Sequence, residues 1–259
     1  MQCVEAAARS HPGCVRENNE DNFFMRGIYM RANERNTGGL YKGTYTEKTQ
    51  LYAVCDGMGG MDQGERASLQ TVSGMDTLMS CSLRSFPKKL KAYIDRVTNQ
   101  LLTPIGGSIS AGCTLTAVYL AGSRAIVANL GDSRVYFKRV AQPLAQITED
   151  HSQAVWYQKQ GILTPEEAET HFSRNTLRRY VGAPNQEGRT PDFLKPVKIN
   201  SGDAFLLCSD GLSNMMTISE MDAELSTKKS CSDICRSLVS LAIKRGGDDN
   251  ITALMIRVS

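Results

Sequence analysis

Three acidic residues follow apolar runs and stand beside a glycine: Leu51 to Cys55 leads into Asp56-Gly57, Ala204 to Ser209 into Asp210-Gly211, and Ala128 to Leu130 into Gly131-Asp132. Glu20-Asp21 precedes another apolar run, and Asp248-Asp249-Asn250 precedes the last one. Taken singly, each Asp-Gly is a turn signal, because both residues tolerate the backbone of a tight hairpin. Taken together they describe a site. Carboxylates gathered at one edge of a sheet repel one another and lose their charge unless a cation sits among them. Oxygen donors without His or Cys select hard ions such as magnesium or manganese. Glycine after Asp56 leaves the backbone free to turn its carbonyl toward an ion. Multi-metal sites of this kind hydrolyse phosphoryl or phosphodiester bonds, so phosphatase and nuclease chemistry are both open on these residues alone.

The elements that must position these acids are short runs rich in β-branched and aromatic residues. Strands are expected over Asn22 to Ile28, Leu51 to Cys55, Thr114 to Leu120, Arg124 to Leu130, Ser133 to Lys138, Ala204 to Cys208 and Ile251 to Val258. Turn residues separate the segments between 114 and 138, which reads as a meander of antiparallel hairpins. Helical spacing appears in Leu90, Tyr93, Ile94, Val97 and Leu101, more loosely from Ala67 to Met79, and in Ile234, Leu238, Leu241 and Ala242 before Gly246-Gly247. Thr164-Pro165-Glu166-Glu167 has the form of a capping box with proline at the first helical position. Strands and helices that mix without alternating imply an α+β fold. No repeat or linker divides the chain, so one domain over 1–259 is expected, with polar stretches at Ala32 to Gln50 and Asp150 to Asp192.

Composition narrows the function. Thirty basic and 27 acidic residues among 259 give a net charge of +3, with 41% apolar residues, ordinary values for a globular chain. No clustered Lys/Arg stripe supports nucleic-acid binding, which counts against the nuclease. The opening residues lack a signal-peptide pattern and no apolar run approaches ~18 residues, so no membrane association and a cytoplasmic location are expected. The eight cysteines are scattered, and only Cys231 and Cys235 are close, spaced for one helix face. With three histidines and no C-x-x-C, the thiols read as reduced core residues rather than a zinc site.

Six motifs stand in the order found in the metal-dependent Ser/Thr protein phosphatases (the PPM family, or protein phosphatase type two C), which the chain resembles from about Ser10 onward. They are Arg16-Glu17-Asn18-Asn19-Glu20-Asp21, Asp56-Gly57-Met58-Gly59-Gly60, Gly112-Cys113-Thr114-Leu115-Thr116, Gly131-Asp132-Ser133-Arg134, Ser209-Asp210-Gly211-Leu212 and Gly247-Asp248-Asp249-Asn250-Ile251-Thr252. No single motif is specific, whereas the ordered set is. Asp-Gly-Met-Gly-Gly and Thr148 to Ser152 resemble the bacterial branch, whose members often reverse Ser/Thr kinases in signalling. The resemblance implies an α-β-β-α sandwich of two antiparallel sheets with a metal cleft at one edge. It implies hydrolysis of phosphoserine and phosphothreonine in proteins by a water bridging two divalent ions about 4 Å apart, Mn2+ or Mg2+, with no covalent intermediate. Carried over by motif, Asp56 bridges the ions with the Gly57 carbonyl on one of them, and Asp210 and Asp249 complete the first ion's ligands. Glu20 serves the second ion directly or through water with Asp21 behind it, Asp132 matches a weaker third site, and Arg16 matches the phosphate clamp, a role suited to a planar fork of donors. Phosphoproteins, a cognate kinase and a monomeric state complete the expectation. A catalytically idle, partner-binding member is the alternative, weakened by the presence of Asp56, Asp210 and Asp249.

Some positions depart from the pattern. Met58 stands where eukaryotic relatives carry a histidine as candidate acid, and Cys113 where threonine is usual. The stretch from 32 to 50 is expected to be a long surface loop. His151 and His171 fall in or beside the segment of about 150–192 that matches the family's flap, His151 with a structural or a catalytic part to play.

Overall fold

The computed structural model describes residues 3–59, 63–103 and 111–259; Gly60, which closes the second motif, lies outside them. In chain order the strands are β1 (Val4–His11), β2 (Asn22–Met25), β3 (Leu40–Tyr45), β4 (Thr49–Cys55), β5 (Gly57–Met58), β6 (Gly112–Cys113), β7 (Leu115–Ala121), β8 (Arg124–Leu130) and β9 (Arg134–Lys138). They continue with β10 (Ala145–Gln146), β11 (Asp192–Phe193), β12 (Val197–Lys198), β13 (Ala204–Cys208) and β14 (Ile251–Val258). The helices are α1 (Gln63–Ser73), α2 (Phe86–Leu101), α3 (Gln153–Lys159), α4 (Pro165–Thr170), α5 (Asp210–Ser213), α6 (Ile218–Leu225) and α7 (Cys231–Lys244).

Two antiparallel sheets face each other, one ordered β10-β9-β13-β14-β1-β3 and the other β11-β8-β7-β4-β2, with β12 also on β8. Their central strands read as unbroken apolar runs because both faces are covered. Along β4, Tyr52 and Val54 enter the core between the sheets, while Leu51, Ala53 and Cys55 pack under α1 and α2. Along β14, Leu254, Ile256 and Val258 face the inter-sheet core, and Ile251, Ala253 and Met255 face α7. Each large side chain so buried contributes roughly 1.5–3 kcal/mol. The result is the expected four-layer α-β-β-α arrangement. Cys231 and Cys235 do share the inner face of α7, where Cys235 Sγ lies 3.3 Å from the Ala7 carbonyl, and all eight cysteines are free thiols.

Pairing register sets where the acids go. Asn22 at the start of β2 pairs with Cys55 at the end of β4, and Leu115 at the start of β7 pairs with Leu130 at the end of β8. In the other sheet Cys208 at the end of β13 pairs with Arg134 at the start of β9, and Ile251 pairs with His11 at the end of β1. Asp21, Asp56, Asp132, Asp210 and Asp249 therefore leave their strands at one common end of the sandwich.

Three expectations need correction, and one strand carries none. The segment from 114 to 138 is no simple meander: β7 and β8 form a hairpin, but β9 pairs with β13 in the opposite sheet, so Gly131-Asp132 carries the chain between layers. The stretch from 32 to 50 is not simply a loop, since it contains a 3-10 turn over Arg35–Thr37 and the edge strand β3, paired to β1. Nothing in the sequence pattern marked β1, whose Ala6-Ala7-Ala8 core has weak strand preference but fits between two sheet partners. The helix expected from Ala67 to Met79 stops at Ser73, and a separate 3-10 turn follows Gly74 over Met75–Leu78. The Thr164 capping box is present, its hydroxyl accepting from Glu167 N while the Glu167 carboxylate accepts from Thr164 N.

Candidate metal centre

A cleft of about 390 Å³ opens at the acidic end of the sandwich, and Arg16, Glu20, Asp56, Gly57, Asp132, Asp210 and Asp249 all line it. Asp21, the remaining acid expected there, is fully buried behind this wall. Among the described residues no three carboxylate, imidazole or thiol groups are drawn tightly enough to form a ready-made cage. The acids instead make a looser ring about the cleft.

Each acid is held by its own element. Asp56 and Thr114 pair reciprocally, Asp56 N donating to Thr114 Oγ1 and Thr114 N to the Asp56 carbonyl, both at 2.8 Å. The same hydroxyl meets Ser133 Oγ at 2.7 Å, tying this turn to the crossing that carries Asp132. Gly57 is required by close approach, since a Cβ there would lie 2.3 Å from the Gly64 carbonyl and 2.6 Å from that of Glu20. Asp210 opens α5 rather than a hairpin and accepts from Asn214 Nδ2 at 3.3 Å. A Cβ on Gly211 would fall 2.1 Å from the Asn250 carbonyl, so only glycine lets α5 approach the loop of Asp249. Ser209 Oγ donates to Asp21 Oδ2 at 2.7 Å while accepting from Thr252 N at 2.9 Å.

Asn250, quoted within a motif but given no role, proves to be the organiser of this corner. Its Oδ1 accepts from Glu20 N at 2.7 Å, and its Nδ2 donates to the carbonyls of Pro12 and Asn18 at 2.9 Å each. Asn175 and Leu177, also in the lining, come from the segment after α4 and carried no signal in the sequence. Met58 lines the cleft, and no histidine does among the described residues.

Electrostatics divide the cleft from its surroundings. Burial pushes the Asp56 carboxyl well above its usual range, and Asp21, Asp210, Asp132 and Asp249 push it further. Asp210 rises for the same reason, with burial ahead of Asp249. Burial raises Asp132 to about 8 with Asp210 adding to it, and raises Asp21 to about 7 against the lowering effect of its Ser209 and Thr252 hydrogen bonds. Asp21 Oδ1 is moreover a buried oxygen with no hydrogen-bond partner. Crowded carboxyls, an orphaned oxygen and an all-oxygen donor set are what a hard divalent cation satisfies, so these residues fit such an ion. Arg16 is the cation nearest to hand, its Nη2 2.9 Å from Asp249 Oδ2, and it remains mostly exposed at the mouth.

His151 is not in the cleft. It is buried behind Gly131, its N donating to the Gly131 carbonyl at 3.0 Å and its Nδ1 accepting from Gly131 N at 3.1 Å. With Nδ1 an acceptor, the ring proton sits on Nε2 and points to Asp192 Oδ2 at 3.1 Å. Burial, and then Arg179, lower its pKa, which keeps the ring neutral. His151 thus braces the turn that presents Asp132. His171 lies further out, its Nδ1 2.7 Å from Ser173 Oγ.

The protein phosphatase 2C family profile matches residues 41–252. The chain is 31% identical over 261 residues to the serine/threonine phosphatase stp of Listeria welshimeri, covering 98% of this chain and 95% of that one. It is 33% identical over 217 residues to the protein phosphatase PhpP of Streptococcus pneumoniae, covering 81% and 86%. Among solved structures, the S. agalactiae serine/threonine phosphatase superposes with a TM-score of 0.84 at 27% identity, covering 99% of this chain and all of that one. The catalytic domain of the serine/threonine protein phosphatase PstP in complex with two manganese ions gives 0.78 at 28% identity, covering 100% and 99%. Fold and acidic cleft together define a metal-dependent phosphatase class. The chain belongs to the protein phosphatase 2C family, in its bacterial PPM branch.

Proposed function

We propose that the acidic cleft dephosphorylates phosphoserine and phosphothreonine in proteins, with Asp56 at its centre. The class of activity is that of the family: this chain is a metal-dependent protein-serine/threonine phosphatase. The observation that carries the site assignment is the convergence of Asp56, Asp132, Asp210 and Asp249 on one cleft with Glu20 and Arg16 at its wall. Asp56, central among the other acids, would with the Gly57 carbonyl, Asp210 and Asp249 help to hold one ion, and with Glu20, backed by Asp21, a second. Asp132 would hold a weaker third ion. Manganese and magnesium both suit this donor set. When bound, the ions supply Lewis-acid activation of water and neutralise charge on the phosphoryl oxygens.

The chain's own groups do the rest. Arg16, exposed at the mouth and now engaged with Asp249, can swing its fork of donors onto the phosphoryl oxygens and orient them for in-line attack. Asn250 and Thr114 hold the acids' backbones so that the ring cannot spread as charge moves through it. With no imidazole among the described residues that line the cleft, the leaving alkoxide would take its proton from solvent. Residues 1–259 would act as one catalytic unit and as a monomer on proteins phosphorylated by a cognate Ser/Thr kinase in the cytoplasm; no helix among the described residues is long and apolar enough to cross a membrane. The deciding experiment is hydrolysis of a phosphopeptide panel with manganese, with magnesium, and with chelator. Release of phosphate from phosphoserine and phosphothreonine only with metal supports the proposal, and metal-independent release abolishes it.

A further inference from the structure

The 3-10 turn of residues 35–37 stands against the back of the Glu20 loop. Asn19 N donates to Asn36 Oδ1 at 3.0 Å, and Asn19 Nδ2 donates both to the Arg35 carbonyl at 3.2 Å and to Ser10 Oγ at 2.9 Å. This clamp buries Arg35 to 2% exposure. Its Nε, Nη1 and Nη2 are all enclosed without a hydrogen-bond partner, an arrangement that costs free energy unless the charge itself is used. Glu65 Oε2, in the first turn of α1, lies 4.0 Å from Nη1, close enough to balance charge and too far to accept a hydrogen bond. Glu20 reaches the same spot from the cleft: its Oε2 lies 2.5 Å from where a Cβ on Gly64 would be, one residue before Glu65. A buried guanidinium, a compensating carboxylate and the carboxylate of the cleft wall are thus packed around the start of α1.

We infer that Arg35 is a positioning residue that tunes cation binding at the Glu20 side of the cleft. Its fixed charge draws the Glu20 carboxylate back toward α1 and opposes a second cation there, while Glu65 partly cancels it. The inference rests on reading the cleft as the metal centre. Removing the arginine's charge should tighten binding at Glu20, and removing the Glu65 charge should loosen it.

Manganese titration calorimetry on the chelator-stripped protein tests this without reference to activity. Glu20→Gln identifies the binding step that belongs to Glu20. In that step Arg35→Met should bind manganese on the order of tenfold more tightly than the unmodified protein, Arg35→Lys should stay close to it, and Glu65→Gln should bind several-fold more weakly. Affinities unchanged in both Arg35→Met and Glu65→Gln, or Arg35→Lys shifting as far as Arg35→Met, would overturn the role. Should Arg35→Met not fold, Glu65→Gln decides alone, since Glu65 lies on a partly exposed helical turn. Unmodified protein that takes up no manganese would instead defeat the metal-centre reading and this inference with it.

Discussion

Asp132 and Arg134 are separated by one residue, yet they belong to regions of opposite electrostatic construction. Asp132 faces the cleft, where acids meet acids and burial raises every one that shifts. Arg134, which lines a neighbouring cavity together with Asp132 and Asp210, grips Asp150 with Nε at 3.1 Å from both oxygens and Nη2 at 2.7 Å from Oδ2. Beyond it, Arg179 and His151 both hold Asp192, and Arg178 lies over the Trp156 ring at 4.3 Å. The second region is satisfied within itself, as structural charges in folded proteins are. The first gathers more carboxyls than Arg16 and Arg134 balance, and its buried acids stay raised. Arg134 opens β9, directly after the turn that carries Asp132, so the difference lies in charge pairing and not in place along the chain. Unbalanced, buried charge is where function sits.

The severest way to break this contrast is Asp56→Asn. It keeps the shape and the Thr114 hydrogen bond while removing a charge from the centre of the ring, and should cost at least ~10³-fold in metal-supported hydrolysis of an aryl phosphate. Ordinary turnover by this variant would make the cleft another structural cluster. Next comes Arg16→Ala, expected to cost roughly 10- to 1000-fold in kcat/KM, the range for losing one charge-stabilising donor. Its stability should barely change, because the Asp249 pair is an exposed one. Kinetics identical to the parent would remove Arg16 from the substrate's path.

Much of the cleft was readable in the linear chain, and the reason is geometric. An Asp that follows or precedes an unbroken apolar run must sit at a strand end, and antiparallel register then brings Asp56, Asp132, Asp210 and Asp249 to one edge. What decides their neighbours was not readable. Asp21 and Glu20 are adjacent in sequence but part company, Glu20 lining the cleft and Asp21 buried behind it, because Ser209 at the start of α5, nearly two hundred residues away, captures Asp21. Asn250 organises three backbone groups through contacts its own neighbourhood does not announce. Likewise β9 departs to the second sheet because its Val135 and Tyr136 find partners on β13, a long-range choice that turn chemistry at Gly131 cannot signal. The polar stretch from 32 to 50 looked like loop because an edge strand with alternating polar residues lacks the apolar run that marks a buried one.

The matched region offers the complementary test. Arg134→Met leaves Asp150 partly buried without its bidentate partner, and should cost about 2 kcal/mol, below the figure for a fully buried pair because both side chains keep some exposure. Denaturant unfolding measures it. Manganese affinity should be altered far less than stability, and the reverse ranking would merge the two regions into one.

The gentlest test separates the regions by the sign of their pH response. Asp132, raised to about 8, and Asp21, raised to about 7, bind protons in the folded protein that the unfolded chain has already released above roughly pH 4. The folded state then holds more protons, so stability falls as pH rises from about 4 through 7 and 8. Asp192 behaves oppositely. Burial would raise it, but hydrogen bonds from Arg179 and His151 outweigh burial and lower it, so its contribution is present above roughly pH 4 and lost as pH falls further. Chelator-treated protein should therefore lose a few degrees of Tm between pH 5 and pH 8, and saturating manganese should flatten that slope, since an ion that binds only the folded, ionised acids replaces the protons. Arg134→Met should steepen the slope, since the arginine's charge holds Asp132 and Asp210 down, whereas Asp132→Asn should reduce it. A chelated protein whose Tm holds level across this range would mean that the cleft's acids are already balanced, and the distinction between the two regions would fail.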